Sequence, residues 1–487
     1  MKLPPPVLVS LVACAWSAAA LAAPVVTPLD RTATAFVDVN IIPMDRDTVL
    51  TRRTVVVRDG RIAAIGRAGT IRLAAGTRRV DGRGKFLMPG LCDMHVHLRY
   101  LRERADNPAM LKLFVANGVT TVLNLLGLPE HLALRDSIAK GGVIAPVIYT
   151  SGSYVNPPFA STPYQVDSAV VDQRLAGYDF IKMHGDLDEA SYHQLMTSAH
   201  REGMRVIGHA PRNLGFETML ADRHDVIAHA EEFIYAYFLF ERPAPMRLAE
   251  IDSMIHYAAA GMKQSRMWLM PTLTCYRNIS YQIENLDSIL ARPDMKYVPL
   301  GIAAEWKPGR NTYLKAPFSR GNITGQRGSY ATLQRLTKLF QQDGVKMMAG
   351  TDTPVSATPP GFSLHDELAN LVASGLTPYQ ALRMATANPA EFLGEANAFG
   401  TVAVGQRADL VLLDADPRKD IHNTRKIAGV ALRGRWMPGT ELKAMLTAIR
   451  RANYPGEKLE SDDQPAKKPA VKKPVAKKPA SPAKKRR

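Results

Sequence analysis

Short apolar segments alternate with amphipathic stretches through residues 88–395, and this alternation constrains the fold more than any other feature of the chain. Amphipathic stretches such as Asp188–Glu202 and Tyr330–Asp343 separate most of the apolar segments. The segments typical of strands are Leu91–His97, Val119–Asn124, Val147–Thr150, Phe180–His184, Val206–His209, Val226–His229, Met267–Leu273 and Val345–Gly350. Strands that alternate with helices over about 300 residues favour a (β/α)8 barrel. A doubly wound open sheet is the main alternative, but no Gly-x-Gly-x-x-Gly motif opens a helix in this sequence.

Both ends of this region are rich in short strand signals instead. Thr54–Arg58 and Arg61–Ile65 flank the pair Asp59-Gly60, which is a pattern typical of a β-hairpin. Ala408–Leu413 and Ile427–Leu432 are similar short apolar segments on the other side. We therefore predict an α/β protein with a TIM barrel at 88–395. A small β-sandwich domain is built from both chain ends, residues 23–87 and 396–445.

The first residues are typical of an export signal. Lys2 precedes an apolar run from Val7 to Ala23, and Ala20-Leu21-Ala22 fits the small-x-small cleavage pattern. We predict a signal peptide at 1–22 and a periplasmic or secreted protein. An uncleaved anchor is less favoured, because the run is short for a membrane span. The tetrapeptide that ends at Cys14 also fits a lipoprotein cleavage box, so anchoring through Cys14 is the alternative.

The other end of the chain is a Lys-, Pro- and Ala-rich tail, residues 456–487. The net charge is +17, and ten Lys or Arg residues with no acidic residue lie between Gln464 and Arg487. Prolines and mutually repelling lysines predict an extended, solvated segment. Together with export, this charge predicts salt-sensitive binding to anionic envelope polymers or lipids, and makes nucleic acid an unlikely partner. A solvated tail without a dedicated partner is the other interpretation.

The strongest site signal is the segment Met88–His97, in which His95 and His97 are two residues apart. In a strand such residues share a face, so the two imidazoles supply half of a metal site. A pair of polar surface histidines is the alternative. The flanking residues are apolar, however, and a buried pair needs a metal ion or hydrogen bonds.

Lys182 lies in Asp179–Gly185, a run typical of a buried barrel strand. Burial and nearby cations lower an amine's pKa and expose a nucleophilic neutral nitrogen. Such a lysine can take up carbon dioxide and become a carbamate, whose two oxygens can bridge two cations. On this segment alone, a lysine that reaches the surface or forms an ion pair is the simpler interpretation.

Three further apolar runs end in a residue that can bind metal: His209, His229 and Asp352. Each is weak evidence alone, because polar residues commonly end strands. Together with His95, His97 and Lys182 they fall at the carboxyl ends of predicted strands one, four, five, six and eight. Active sites of TIM barrels are built at these ends.

This set of motifs resembles the amidohydrolase superfamily, in its binuclear form with a carboxylated lysine. The most similar branch is imidazolonepropionase-like and Xaa-Pro dipeptidase-like. Besides the His-x-His segment, the resemblance includes Asn117–Val122, Gly350–Asp352, Gly375–Pro378, Ala387–Ala390 and Gly405–Val411. It spans about residues 27–440. True imidazolonepropionases use one metal and lack the bridging lysine, so Lys182 argues against that activity.

The resemblance implies two divalent metal ions and a role for each ligand. His95 and His97 would bind the first ion, and His209 and His229 the second. Lys182, as N6-carboxylysine, would bridge them. Asp352 would bind the first ion and act catalytically, taking a proton from the attacking water and passing it to the leaving nitrogen. Zinc is expected for these ligands, with manganese, cobalt or iron left open.

The sequence departs from the family in two places. Leu123-Asn124 stands where many relatives carry Arg-Asp after the second strand. The run Glu231–Tyr235 is more acidic and aromatic than is usual for simple prolidase-like members. Both departures lie beside strand ends, so they put the local polar contacts in doubt.

Substrate contacts are predicted at three residues. Arg212 and Tyr276 are candidates for binding a substrate carboxylate, with surface placement as the alternative. His184 lies two residues past Lys182 and is a candidate neighbour of the metal ions. Tyr235, Tyr237 and Phe238 fit either an apolar pocket or the core, and His131, His224 and His256 are interpreted as structural.

The predicted function is hydrolysis of a C–N amide bond in a small molecule, a dipeptide or an N-acyl amino acid. A hydrolase of cyclic amides, lactones or phosphoesters is the alternative, since the same metal-bound water attacks those bonds too. A non-catalytic polyanion-binding surface protein is a third interpretation, against which the complete set of six ligands argues. The sequence leaves the oligomeric state open.

Overall fold

A computed structural model describes residues 32–98, 107–241, 246–315 and 323–456 of the protein. The predicted signal peptide and the Lys-rich tail beyond residue 456 lie outside these residues. Within the described ranges, no helix has the length and apolar character needed to cross a bilayer.

The strands of the described chain belong either to the barrel or to a sheet at its side. In chain order they are β1 (Thr34–Ile41), β2 (Leu50–Arg58), β3 (Arg61–Arg67), β4 (Arg78–Asp81), β5 (Phe86–Pro89), β6 (Leu91–Val96), β7 (Val119–Asn124), β8 (Val147–Thr150), β9 (Phe180–Met183), β10 (Arg205–Gly208), β11 (Val226–Ala228), β12 (Trp268–Met270), β13 (Lys346–Met347), β14 (Leu410–Leu413), β15 (Ile427–Leu432) and β16 (Arg435–Pro438). The predicted barrel strands therefore recur as β6 to β13, with β12 and β13 shorter than expected.

The barrel consists of β6 to β13, all paired in parallel. One run of pairing joins β6, β7 and β8, and a second joins β9 through β13. Single bridges between Ser151 and Phe180 and between Val96 and Thr353 link the two runs at both seams. The strands thus close into a ring, which confirms the predicted TIM barrel.

The side sheet joins the two chain ends. Its strand order is β16-β15-β14-β5-β1-β2-β3, with β4 paired to β1. The predicted hairpin is β2 and β3, turning at Asp59 and Gly60, which both have positive φ. β5 pairs with both β1 and β14, so it connects the N-terminal and C-terminal strands. A β-rich domain built from both ends of the chain is therefore confirmed.

The helices surround the barrel. They are α1 (Asn107–Ala116), α2 (Pro129–Ala139), α3 (Pro163–Ala176), α4 (Glu189–Arg201), α5 (Gly215–Ala221), α6 (Leu239–Glu241), α7 (Leu248–Ser265), α8 (Leu273–Leu290), α9 (Leu300–Glu305), α10 (Ile323–Asp343), α11 (Phe362–Ala373), α12 (Pro378–Met384), α13 (Ala387–Phe392) and α14 (Gly439–Asn453). Local signals set their ends: the Thr162 hydroxyl caps α3 at the Gln165 N–H, and Gly177 ends that helix with φ 90°. The long connections after β11 and after β12 hold the helices α6–α7 and α8–α10, respectively.

The floor of the barrel is apolar and filled. Residues such as Cys92, Met94, Phe180, Ile207 and Met348 form one buried cluster with Phe392 of α13. The outward faces of the strands pack against the helices in a second, larger cluster. The interior below the carboxyl ends of the strands is thus largely filled by apolar side chains, and the open space lies at those ends.

Candidate metal centre

The structure brings all six predicted metal ligands together at the carboxyl end of the barrel. Ligand atoms of His95, His97 and Asp352 lie within 4.8 Å of one another. The ring of His229 lies 4.7 Å from that of His95 and 4.8 Å from that of His209. The cavity beside them is lined by His97, Lys182, His209, His229 and Asp352. We call these six residues the metal-centre residues.

Strand periodicity aims two of them inward, and a bulge on β6 redirects two more. Phe180 and Ile207 belong to the barrel floor, so Lys182 and His209, two residues further along, share the interior face. β6 contains a bulge between Asp93 and Val96. Asp93 pairs with Val122 of β7 and Val96 pairs with Asn124, so β6 has one extra residue in this interval. Such a bulge redirects side chains, and it leaves the rings of His95 and His97 5.2 Å apart.

The other two depend on unusual backbone conformations. Val226 and Ala228 face the interior, so alternation alone would point His229 outward. His229 instead has φ 78°, in the left-handed region, and this brings its ring into the centre. Asp352 and Thr272 are also left-handed, with φ 59° and 50°. Non-glycine residues held in this region typically mark functional sites.

Burial leaves two of these side chains without partners among the described residues. Both ring nitrogens of His95 and the Nζ of Lys182 are buried and make no hydrogen bond there. Burial lowers the pKa of the Lys182 ammonium to about 8 and holds the pKa of His95 well below its usual range. Unpartnered buried nitrogens are costly unless an ion engages them, so this donor set fits divalent metal.

Asp352 is the anion of the cluster. Its Oδ1 lies 2.8 Å from Nε2 of His97 and 3.3 Å from Nε2 of His95. The thiol of Cys275 donates to Oδ2 at 3.4 Å. Burial alone would raise its pKa, but the His97 contact, the nearby histidines and Lys182 together hold the pKa at about 2. The carboxylate is therefore ionised throughout the physiological pH range.

Residues behind the cluster hold the ligands in place. The Thr272 hydroxyl lies 2.7 Å from Nδ1 of His229. Asp93 accepts hydrogen bonds from the Thr351 N–H at 3.0 Å and the Thr351 hydroxyl at 2.7 Å, which ties β6 to the loop that carries Asp352. Gly350 packs so closely that an added Cβ would come within 2.7 Å of the His95 Cβ. These contacts position the imidazoles and the carboxylate before any ion binds.

The Arg212 guanidinium makes a two-pronged ion pair that the sequence did not predict. Its Nε and terminal nitrogen lie 3.0 and 2.6 Å from the two oxygens of Glu232, which is 1% exposed. One of these oxygens is 3.5 Å from Nδ1 of His209. The Arg212 guanidinium, predicted to bind a substrate carboxylate, thus binds Glu232 next to His209. Arg212 does not contribute to the cavity lining.

The other two predicted substrate residues line the cavity. The Tyr276 ring lies 5.7 Å from that of His229, and its hydroxyl is hydrogen-bonded to Glu231. The His184 ring lies 4.3 Å from that of His209 and stacks on Tyr154 at 4.6 Å. Both side chains are therefore placed to contact a molecule bound at the metal centre.

The histidines interpreted as structural have ordinary partners. His131 binds Asn124, whose amide also donates to Thr150 and accepts from Leu98 N–H, so Asn124 organises the corner after β7. His224 contacts Tyr192 and the Val226 carbonyl, and His256 pairs with Asp343. Of the aromatic run after β11, Tyr237 and Phe238 are buried in the main core, and Tyr235 supports Arg212 through a cation–π contact at 4.2 Å.

The cavity measures about 440 Å³, enough for a dipeptide-sized molecule. Its inner end is the metal centre, and helices α8 and α9 with the turn after α9 contribute much of the remaining lining: Ile279, Ile302, Glu305, Trp306, Arg310 and Tyr313. The long connection after β12 therefore forms part of the cavity wall.

A TIM barrel with four histidines, a lysine and an aspartate at its carboxyl end defines the class of metal-dependent hydrolases. The amidohydrolase family model matches residues 86–437, and the chain belongs to this family. The protein is accordingly a hydrolase that acts on carbon–nitrogen bonds.

Among curated proteins, the imidazolonepropionase of Rubrobacter xylanophilus is 25% identical over 384 residues, which are 74% of this chain and 84% of that protein. Two solved structures share the fold. A Xaa-Pro dipeptidase with bound methionine superposes with a TM-score of 0.63 at 19% identity, covering 84% of this chain and all of the other. Bottromycin amidohydrolase gives 0.68 at 20% identity, covering 88% and 92%. The predicted family and branch are thereby confirmed.

Proposed function

We propose that the protein is an exported binuclear metallohydrolase that cleaves the amide bond of a dipeptide or an N-acyl amino acid. The observation that carries this proposal is the convergence of six metal-centre residues, two of which, His95 and Lys182, have buried nitrogens that make no hydrogen bond among the described residues. Two ions of like charge need an anionic bridge. Carboxylated Lys182 would supply it, because its amine is buried near His95, His209 and His229 and its lowered pKa makes it easily neutralised.

The ligands divide into two groups by position. His95, His97 and Asp352 form the cluster that would hold the first ion. His209 and His229 face each other across 4.8 Å and would hold the second. Zinc suits this mixture of imidazole and carboxylate. Two such cations, when bound, supply a water of lowered pKa and polarise the scissile carbonyl.

The remaining chemistry falls to the protein's own side chains. Asp352 is ionised and faces the cavity, so it can accept the proton of the attacking water and return it to the leaving nitrogen. The apolar wall around Ile279 and Ile302 excludes water from the substrate. The Tyr276 hydroxyl is fixed by Glu231 and is placed to hydrogen-bond a polar group of the substrate.

A substrate panel tests the proposal. Protein reconstituted with zinc and bicarbonate is offered dipeptides and N-acyl amino acids alongside lactones and phosphotriesters. We expect the amides to give the highest kcat/KM. Turnover confined to lactones or phosphotriesters would contradict the amide assignment and support the alternative chemistry.

Glu232 provides a prediction about the second ion. Replacing Glu232 with Gln removes the charge that pairs with Arg212 and weakens the contact that orients His209. We expect affinity for the second zinc ion to fall by about 10- to 100-fold, the usual loss on changing a residue that supports a metal ligand, while the first ion binds as before. Zinc titration of chelator-stripped protein, with elemental analysis, measures both steps.

The control for this experiment is Glu395→Gln. Glu395 is also a buried carboxylate, but it is hydrogen-bonded to Tyr149 and makes no contact with the metal-centre residues that the structure describes. The Glu395→Gln substitution should therefore leave the affinities for both zinc ions unchanged. Equal weakening of both ions in Glu232→Gln, or no weakening, would contradict the role given to this carboxylate.

Export is tested by the N-terminus of the mature protein. Cleavage after Ala22 removes the apolar run, so protein recovered from the periplasm or medium should begin at Ala23. N-terminal sequencing or intact-mass measurement gives the answer directly. Lipid on Cys14 would support the lipoprotein alternative, and an intact Met1 in the cytoplasm would exclude export.

A further inference from the structure

Arg212 and Arg310 lie near the metal centre, and they differ in how easily each can exchange its present carboxylate partner for a carboxylate of the substrate. Arg212 is paired through both prongs with Glu232, a carboxylate that is fully buried. A substrate carboxylate that bound Arg212 in place of Glu232 would leave the buried Glu232 carboxylate without an ion-pair partner. That is strongly unfavourable. Arg212 is therefore committed to its internal ion pair.

Arg310 is placed quite differently. It lines the same cavity as the metal-centre residues, and its guanidinium lies 2.9 Å from a carboxylate oxygen of Glu305, another cavity residue. Both side chains are largely open to solvent, with 66% and 49% of their surfaces exposed. An exposed ion pair contributes little free energy, so a second carboxylate can replace Glu305 on Arg310 at small cost.

The backbone beneath Arg310 is held firmly although its guanidinium is largely exposed. Its own N–H and that of Asn311 both donate to the Lys307 carbonyl, at 3.0 and 2.9 Å. The Asn311 side chain donates to Gln282 of α8 at 2.7 Å and to the Trp306 carbonyl at 3.2 Å. Because the backbone is already fixed, binding of a carboxylate to the guanidinium would restrict only the Arg310 side chain. The loss of conformational entropy on binding is therefore small.

The same segment is tied to the loop that carries Asp352. The indole N–H of Trp306 donates to the Pro354 carbonyl at 2.8 Å, and Pro354 lies two residues past Asp352. Trp306 is 4% exposed and forms an apolar wall of the cavity with Ile279 and Ile302. The spacing between this wall, Arg310 and the metal centre is therefore set by direct contacts.

We propose that Arg310 is the receptor for a free carboxylate of the substrate, exchanging Glu305 for it, and that the wall of Ile279, Ile302 and Trp306 receives an apolar side chain. This inference rests on the proposed function and narrows it. The substrate is an N-acyl amino acid or dipeptide that ends in an apolar residue with an unblocked carboxyl group.

The test compares N-acetyl-L-leucine with N-acetyl-L-leucinamide, which differ only in the carboxylate. Zinc- and bicarbonate-reconstituted protein is assayed by kcat/KM where a compound is hydrolysed and by isothermal titration calorimetry where it is not. We expect the parent to prefer the carboxylate by about 5-fold, the upper end of what an exposed ion pair contributes, and Arg310→Met to lose that preference. Values for the carboxamide should not change.

Three further variants make the result specific. Lys307→Met removes an exposed positive charge from the same turn but does not alter the cavity lining, so the preference should remain. Arg310→Lys keeps the charge but loses the fork, so it should recover only part of the preference. Glu305→Gln removes the competing carboxylate, so the preference should hold or rise a few-fold.

The outcomes separate this inference from the proposed function. If neither compound is hydrolysed but binding preference follows Arg310, the amide-hydrolase assignment to these substrates fails and the carboxylate receptor stands. The role given to Arg310 is wrong if amides are hydrolysed but the parent protein does not prefer the carboxylate over the carboxamide. It is also wrong if Arg310→Met keeps that preference. A fall in preference in Glu305→Gln would also overturn the exchange.

Discussion

Replacement of Lys182 with Ala should remove both metal ions and lower amide hydrolysis by at least about 10³-fold, well beyond the 10- to 100-fold typical of residues that only support a ligand. The reason is positional: Nζ lies buried among the metal-centre residues without a partner, and both ions would share its carbamate. Elemental analysis gives the metal content. Acetate or propionate should partly restore it by placing a carboxylate in the space that the side chain vacates.

The matched control is Lys346→Ala. Lys346 is also a barrel-strand lysine, on β13, but its side chain is exposed and pairs with Glu391. Its replacement should leave metal content and turnover unchanged. Two ions per chain and parental activity in Lys182→Ala would contradict the bridging role.

Carboxylation also gives this lysine a characteristic pH dependence. Only the neutral amine reacts with carbon dioxide, and burial places the pKa of Lys182 at about 8 instead of 10.5. The neutral fraction is then roughly one tenth at pH 7 and nine tenths at pH 9. Metal uptake by stripped protein in bicarbonate should rise several-fold across this interval and level off above it, whereas an unmodified lysine ligand would give no dependence on bicarbonate.

The barrel and its metal-centre residues could be predicted because both are encoded locally. Each strand is a short apolar run, and a His, Lys or Asp at the end of such a run is recognisable without knowing what lies beside it. Closure of parallel strands then brings these ends together. His229 also lies at the end of such a run, although strand alternation alone would turn it outward and only its left-handed backbone, at φ 78°, turns it inward.

The contacts around the metal centre depend on geometry that the sequence does not encode locally. Glu232 was visible only as part of an unusual acidic run. Its pairing with Arg212 follows from the path of the chain after β11, where residues 234–238 form a π-helix. Arg310 lies in the insert after β12, and nothing in its own segment indicates that it faces the cavity. The two arginines differ in the burial of their carboxylate partners, Glu232 and Glu305, and in their own exposure, and both properties are known only from the fold.

Asp352 is expected to separate metal binding from proton transfer. Asp352→Asn keeps the shape and one ligating oxygen but cannot accept a proton. Metal should therefore be largely retained while activity falls by a factor on the order of 10² to 10⁴, the usual scale for loss of a general base. His95→Ala is the contrasting variant and should lose both metal and activity, because a site of few ligands tolerates a missing imidazole poorly.

The pH–rate profile gives a second measurement on the same residue. The carboxylate has a pKa of about 2 beside His97, so its own ionisation does not limit activity near neutrality. The acidic limb should therefore report deprotonation of the attacking water, with an apparent pKa that depends on the nearby charge of Asp352. In Asp352→Asn that limb should shift or vanish together with the loss of rate. Parental turnover of a good amide substrate by metal-loaded Asp352→Asn would show that the proton acceptor lies elsewhere in the cavity.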